Sequence, residues 1–152
     1  MNKEDQLLKG FMDIYNKTVW LNKIKMEKAL SECKSSEVHC IEFIGNDKDS
    51  NVTKLADSFF MTRGAISKLT KKLIMRGYIE SYQKVDNKKE IYFKLTKKGE
   101  KIYRIHNELH QEFRERDQIV FEKITSKEMN QMLDFIKYYN EHLDQEMKKK
   151  NK

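Results

Sequence analysis

Residues 55–81, LADSFFMTRGAISKLTKKLIMRGYIES, decide the fold. Their spacing predicts a helix, a tight turn, a second helix and the start of a strand. Leu55, Ala56 and Phe59 give the first helix an apolar face. Thr62 stands where an N-cap opens the second. Ile66, Leu69 and Leu73 recur at helical spacing and face a core. Arg63, Ser67, Thr70 and Lys71 fall on the opposite face. Gly77 stands where a C-cap ends the helix. A helix anchored by one face, with a short polar and basic face opposite, is what the DNA major groove admits.

Charge placement points the same way. The 152-residue chain has a formal net charge of +7. Residues 50–99 hold 12 Lys and Arg against 4 Asp and Glu, so the excess positive charge lies in the helix-turn-helix segment. That asymmetry favours a polyanion bound at one place.

Working outward, residues 5–30 carry Leu7, Phe11, Ile14 and Leu21 in a helical pattern. A second helix is expected over 36–44, with Ser35 as N-cap and Gly45 as its stop. Asn51 caps a short helix over 52–59. The reading helix runs from Thr62 to Arg76. Residues 79–84 and 90–95 hold the strand formers Ile79, Tyr82, Ile91, Tyr92, Phe93 and Leu95. Between them, KVDNKKE reads as a charged hairpin tip, and a hairpin directly after such a helix is a wing. A long helix over 97–122 follows, capped by Thr96, with Ile102, Ile105, Leu109, Phe113 and Val120 as its stripe. Thr125 and Glu128 form a capping box before a last helix striped by Met129, Met132, Leu133, Ile136 and Leu143. The terminal KKKNK (148–152) reads as frayed.

The fold class expected is mainly α with a small β-hairpin wing. Residues 35–96 form the winged helix-turn-helix lobe, and residues 1–34 and 97–152 form a helical dimerisation region. The terminal helices are amphipathic beyond what the lobe can cover. A second copy of the chain is the economical partner, and a two-fold dimer presents two reading helices to successive major grooves about 34 Å apart.

Other classes fare less well. No apolar run approaches the roughly 18–20 residues that span a bilayer. The N-terminus is too polar for a secretory signal, so a cytoplasmic location is expected. Cys33 and Cys40 are not a disulfide framework there. There is no glycine-rich phosphate loop, nucleophile elbow or paired-carboxylate site in clear context, so an enzyme is not expected. RNA modules would place stacking aromatics on the basic face. A protein–protein adaptor without specific DNA binding remains as an alternative, but its class rarely concentrates such charge on this segment.

The order of helices, wing and long helix resembles the MarR family of winged-helix regulators across about residues 7–145. The resemblance rests on Leu55, Ala56, Leu73, Gly77, Leu95, Thr96 and Gly99. It implies a homodimeric transcriptional regulator, a repressor, bound to an operator and controlled by a small effector. The family's wing-tip Asp and Arg fall on Asn87 and Lys89 here. Lysine contacts phosphate but lacks the planar fork that suits a narrow minor groove.

The DNA-facing set expected is Thr62, Arg63, Gly64, Ala65, Ser67, Lys68, Thr70, Lys71 and Lys72 on the helix, with Lys84, Asn87, Lys88 and Lys89 on the wing. Arg63 is placed for a bidentate contact with guanine. Ser67 and Thr70 are placed for base edges or phosphates. Gly64 and Ala65 keep the helix start thin, and the lysines contact phosphates.

An effector site is read in three ways. His106 and His110 lie one helical turn apart, as a shared metal requires. Resemblance to the zinc-responsive adhesin-uptake repressors of the family adds His39, with Glu27, Glu32 or Cys33 as a fourth ligand and zinc as the ion. Cys40, beside His39, offers thiol sensing, though its helical phase suggests a small core residue. A third reading places a small aromatic acid or phenol near Trp20, Tyr15 and Phe43.

Overall fold

The computed structural model describes residues 1–150. Six helices and one hairpin follow in the order α1 (Lys3–Ala29), α2 (Ser35–Asn46), α3 (Val52–Phe59), α4 (Arg63–Met75), β1 (Ile79–Lys84), β2 (Asn87–Leu95), α5 (Lys97–Phe121) and α6 (Ser126–Lys150). The class expected, mainly α with a hairpin wing, is the class observed. The described residues divide into two compact units, with the break between Glu112 and Phe113. Ile102, from the first turns of α5, joins the core of the first unit.

The core of the first unit gathers Leu30, Val38, Cys40, Ile41, Ile44, Leu55, Ala56, Ile66, Leu73, Tyr78, Ile79, Phe93 and Ile102. It draws on α2, α3, α4, both strands and α5, so the helix-turn-helix is packed from several sides. Two close approaches explain glycines. A Cβ at Gly99 would sit 2.0 Å from the Tyr78 carbonyl oxygen, and one at Gly45 would sit 2.4 Å from the Tyr103 ring. Gly45 was expected to stop the second helix. Instead α2 continues to Asn46, and Gly45 lets that ring lie against it.

Local caps set most boundaries. Asn51 accepts from Lys54 N, Thr62 from Ala65 N, and Thr96 from Gly99 N. Thr125 and Glu128 exchange both bonds of their capping box in the second unit. Each satisfies backbone donors that helix geometry leaves open. α2 is the exception, with Lys34 at its N-cap position and no side-chain cap. Ser35 lies one residue inside.

The hairpin is antiparallel, with Ile79 opposite Leu95, Tyr82 opposite Tyr92 and Lys84 opposite Asn87. Its turn is the pair Val85–Asp86, shorter than the tip expected, and Asn87, Lys88 and Lys89 belong to β2. Neither α1 nor α6 buries a residue. Lys148–Lys150 complete α6, and the frayed end read from the sequence otherwise lies outside the described residues. Among the described residues no helix is long and apolar enough to cross a membrane.

Candidate nucleic-acid interface

The turn between α3 and α4 forms through Phe60, which caps α3 in the left-handed region at φ 53°. Phe59, before it, turns inward and meets Phe43 edge-on at 5.8 Å. Two residues later Thr62 opens α4, which buries Ile66, Thr70 and Leu73. Arg63, Gly64, Lys68, Lys71 and Lys72 are exposed, and Ala65 and Ser67 are half-buried. The outward face is thus cationic, and α4 contains no acidic residue. A Cβ at Gly64 would meet nothing within 4 Å, so packing does not require glycine there.

Three expected contacts are altered by the packing. Thr70 is 2% exposed, and its hydroxyl donates to the Ile66 and Ser67 carbonyls. It is a core residue with a satisfied hydroxyl rather than part of the outward face. Lys72 Nζ lies 3.3 Å from buried Glu37 of α2. Lys84 Nζ lies 2.8 Å from Asp49, and its charge sits 4.7 Å from the Tyr92 ring centroid.

Asp49 is a wing support that sequence reasoning missed. It holds φ 66° in the loop between α2 and α3. One carboxylate oxygen accepts from Tyr82 Oη at 2.9 Å and the other faces Lys84. Hydrogen bonds from Lys84 and Tyr82 hold its carboxyl below the ordinary pKa. Phe93 N donates to the Ser50 carbonyl at 2.9 Å beside it. The root of the wing is therefore tied to the loop that precedes α3. At its outer part, Lys88 and Lys89 are exposed, while Asn87 Oδ1 accepts from Lys89 N and Glu90 N. No pattern marked Asp49, because its partners lie more than thirty residues away.

The far end of α4 is also fastened. Arg76 donates to Glu37 and to the Glu32 carbonyl, and its guanidinium lies 5.1 Å from the Tyr78 ring centroid. Lys98 Nζ lies 4.3 Å from the same centroid and donates to the Arg76 carbonyl at 2.8 Å. Gly77, at φ 81°, makes the bend.

The histidines form a separate group. His106 is 2% exposed, with Nε2 at 3.0 Å from His110 Nε2 and 3.7 Å from Glu42 Oε2. Glu42, His106 and His110 bring one ligand atom each within 4.8 Å of one another. His39 is exposed and outside this group, as are Glu27, Glu32 and Cys33. Glu42 takes the place expected of His39, one turn further along α2. Burial lowers the His106 pKa, against the opposing pull of Glu42. A neutral imidazole is the form that binds metal, so the three groups suit a divalent ion in chemistry and spacing.

Cys40 is fully buried, and burial raises its pKa to about 12. Burial also raises that of Cys33, outweighing its bond to Tyr78 and the nearby Arg76. Neither thiol has the depressed pKa of a sensor. Trp20 and Tyr15 are exposed on α1, while Phe43 packs against the core.

The MarR family model matches residues 34–91, from the start of α2 to the wing. The HTH-type transcriptional regulator YhjH of Bacillus subtilis (strain 168) is 32% identical over 110 residues, covering 72% of this chain and 63% of that one. The match thus spans less than two thirds of that relative. The HTH-type transcriptional regulator SarZ of Staphylococcus saprophyticus is 31% identical over 103 residues, covering 67% of each chain. Among solved structures, Streptococcus pneumoniae FabT in complex with DNA aligns with a TM-score of 0.78 at 19% identity, covering 94% of this chain and 99% of that chain. That likeness bears on the fold alone. Together with the SarZ match and the capped, outward-basic α4, these comparisons lead to one conclusion: the chain belongs to the MarR family.

Proposed function

We propose that the chain is a homodimeric, sequence-specific DNA-binding repressor that acts in the cytoplasm under control of a small effector. MarR-family relatives are transcriptional regulators, not enzymes. The observation that carries the reading is the exposed N-terminal half of α4, with Arg63, Gly64, Lys68 and Lys71 outward and no acid on the helix. FabT was solved with DNA, and we extend that partner to this chain. Arg63 reads a base edge, Ser67 reaches a base or phosphate, and Lys68 and Lys71 contact phosphates. Lys88 and Lys89 contact the backbone from the wing. A dimer covers the apolar faces of α1 and α6, and occupancy of an operator blocks transcription.

The test is fluorescence anisotropy with duplex DNA from upstream of the chain's own gene, against a shuffled duplex, across a salt series. Tight binding to the native duplex alone supports the reading. Equal binding to both, with a steep salt slope, means that only charge is read and overturns it.

One observation favours a metal as the effector, the grouping of Glu42, His106 and His110. These residues would hold the ion, which would tie α2 to α5. Zinc titration of the purified protein by calorimetry tests this. Loss of a stoichiometric binding heat in His106→Ala/His110→Ala supports it, and no heat in the wild type ends it.

A further inference from the structure

The cations of the reading helix are not equivalent. Glu37 lies in the first turn of α2 and is 1% exposed. Its carboxylate faces the last turn of α4. Oε2 accepts from the Arg76 guanidinium, and Oε1 lies 3.3 Å from Lys72 Nζ. That approach is not a hydrogen bond, and among the described residues Oε1 has no hydrogen-bond donor, so Lys72 compensates it by charge alone. A carboxylate withdrawn from water is stable only beside compensating charge. Lys72 and Arg76 therefore cannot leave for a DNA phosphate without stranding Glu37. Helix ends add to the attraction, since Glu37 sits at the positive end of α2 and both cations at the negative end of α4.

We propose that Glu37 is a positioning residue of the DNA interface: it clamps the C-terminal turn of α4 onto α2 and withholds Lys72 and Arg76 from the DNA backbone. The inference rests on the DNA-binding reading above. Phosphate contacts carry no sequence information. Withholding two cations therefore lowers affinity for random and operator DNA about alike and flattens the salt dependence of both, so that a larger share of operator binding rests on Arg63. Lys71, next to Lys72 and exposed, supplies the contrast because no acid is seated against it among the ion pairs of α4.

The experiment compares the full-length wild type with Glu37→Gln, Lys71→Gln and Lys72→Gln on the native and shuffled duplexes across potassium chloride concentrations. Each phosphate contact contributes about 0.9 to the slope of log affinity against log salt. Lys71→Gln should lower that slope by about one contact, and Lys72→Gln should leave it unchanged. Glu37→Gln should steepen it by one to two contacts on both duplexes and tighten both at low salt. If Lys72→Gln lowers the slope as much as Lys71→Gln, the clamp is overturned. A folded Glu37→Gln that weakens both duplexes equally at unchanged slope makes Glu37 a mere strut and also overturns it. Should Glu37→Gln fail to fold, the two lysine variants decide. Wild type that binds neither duplex overturns the DNA-binding reading first, and this inference with it.

Discussion

α4 and α1 are both amphipathic helices, and they are held in opposite ways. α4 buries Ile66, Thr70 and Leu73 within 13 residues, whereas α1 buries none within 27. α4 is pinned at both ends, by the Thr62 cap and by the Glu37 clamp. α1 leaves Leu7, Phe11, Ile14, Val19 and Leu21 open to solvent. An apolar surface of that extent marks an interface. One helix is finished by its own chain, and the other leaves an apolar face that the proposed dimer would cover. Within one unit, a packed α4 thus stands beside an open α1.

Four substitutions test this division, in order of expected effect. Leu73→Ala removes a fully buried side chain beneath α4 and should cost about 2–5 kcal/mol of stability. Denaturant unfolding checks it, and a loss under about 1 kcal/mol would mean the lobe collapses around the gap. Phe11→Glu places a charge on the open face of α1. It should weaken self-association by roughly tenfold to a hundredfold, following the 1.5–3 kcal/mol typical of burying such a side chain. Sedimentation at several concentrations reads this, and an unchanged mass would remove α1 from the dimer. Arg63→Ala should cost about 1–3 kcal/mol on the native duplex and far less on a shuffled one. Equal losses would sink its base-reading role.

Gly64→Ala sharpens the comparison further. The added methyl meets open space in the free protein, and alanine is the better helix former by up to about 1 kcal/mol. The variant should therefore melt slightly higher while binding the native duplex severalfold more weakly. A rise in both would show that the backbone does not approach DNA at that point.

The smallest effect expected is a pH dependence from His106. Burial holds its folded-state pKa below the ordinary value of 6.5. Its contribution is therefore fully present above pH 6.5 and is lost as pH falls through the lower folded-state value. Melting temperatures from pH 7.5 to 5 should fall more steeply in the wild type than in His106→Asn. Parallel curves would mean that His106 titrates as it does in the unfolded chain.

Much of the architecture was legible because its signals are local. α3 spans 52–59 as expected, and Asn51, Thr62 and Thr96 cap the helices they precede. Short hydrogen bonds across three residues are written in adjacent letters. Thr70 shows where local reading fails. It lies between the inward and outward stripes of α4, and only the neighbours that bury it decide the side. Lys72 and Lys84 look identical to Lys71 and Lys88 in sequence, yet acids from distant segments stand against them.

The histidine group makes the same distinction. The spacing of His106 and His110 guarantees neighbouring imidazoles on any helix, and the structure has them 3.0 Å apart. Which residue of α2 meets them depends on how that helix is rotated against α5, and Glu42 rather than His39 faces the pair. The amino-acid sequence by itself determined the elements, most of their caps, the basic face of α4 and the family. Those follow from propensity, periodicity and charge within a few residues of chain. Only the tertiary structure decided which cations are neutralised, which polar residues are buried and which acids complete each cluster. Such pairings close loops of some thirty to sixty residues, and they are set by packing of the shared core rather than by any local preference.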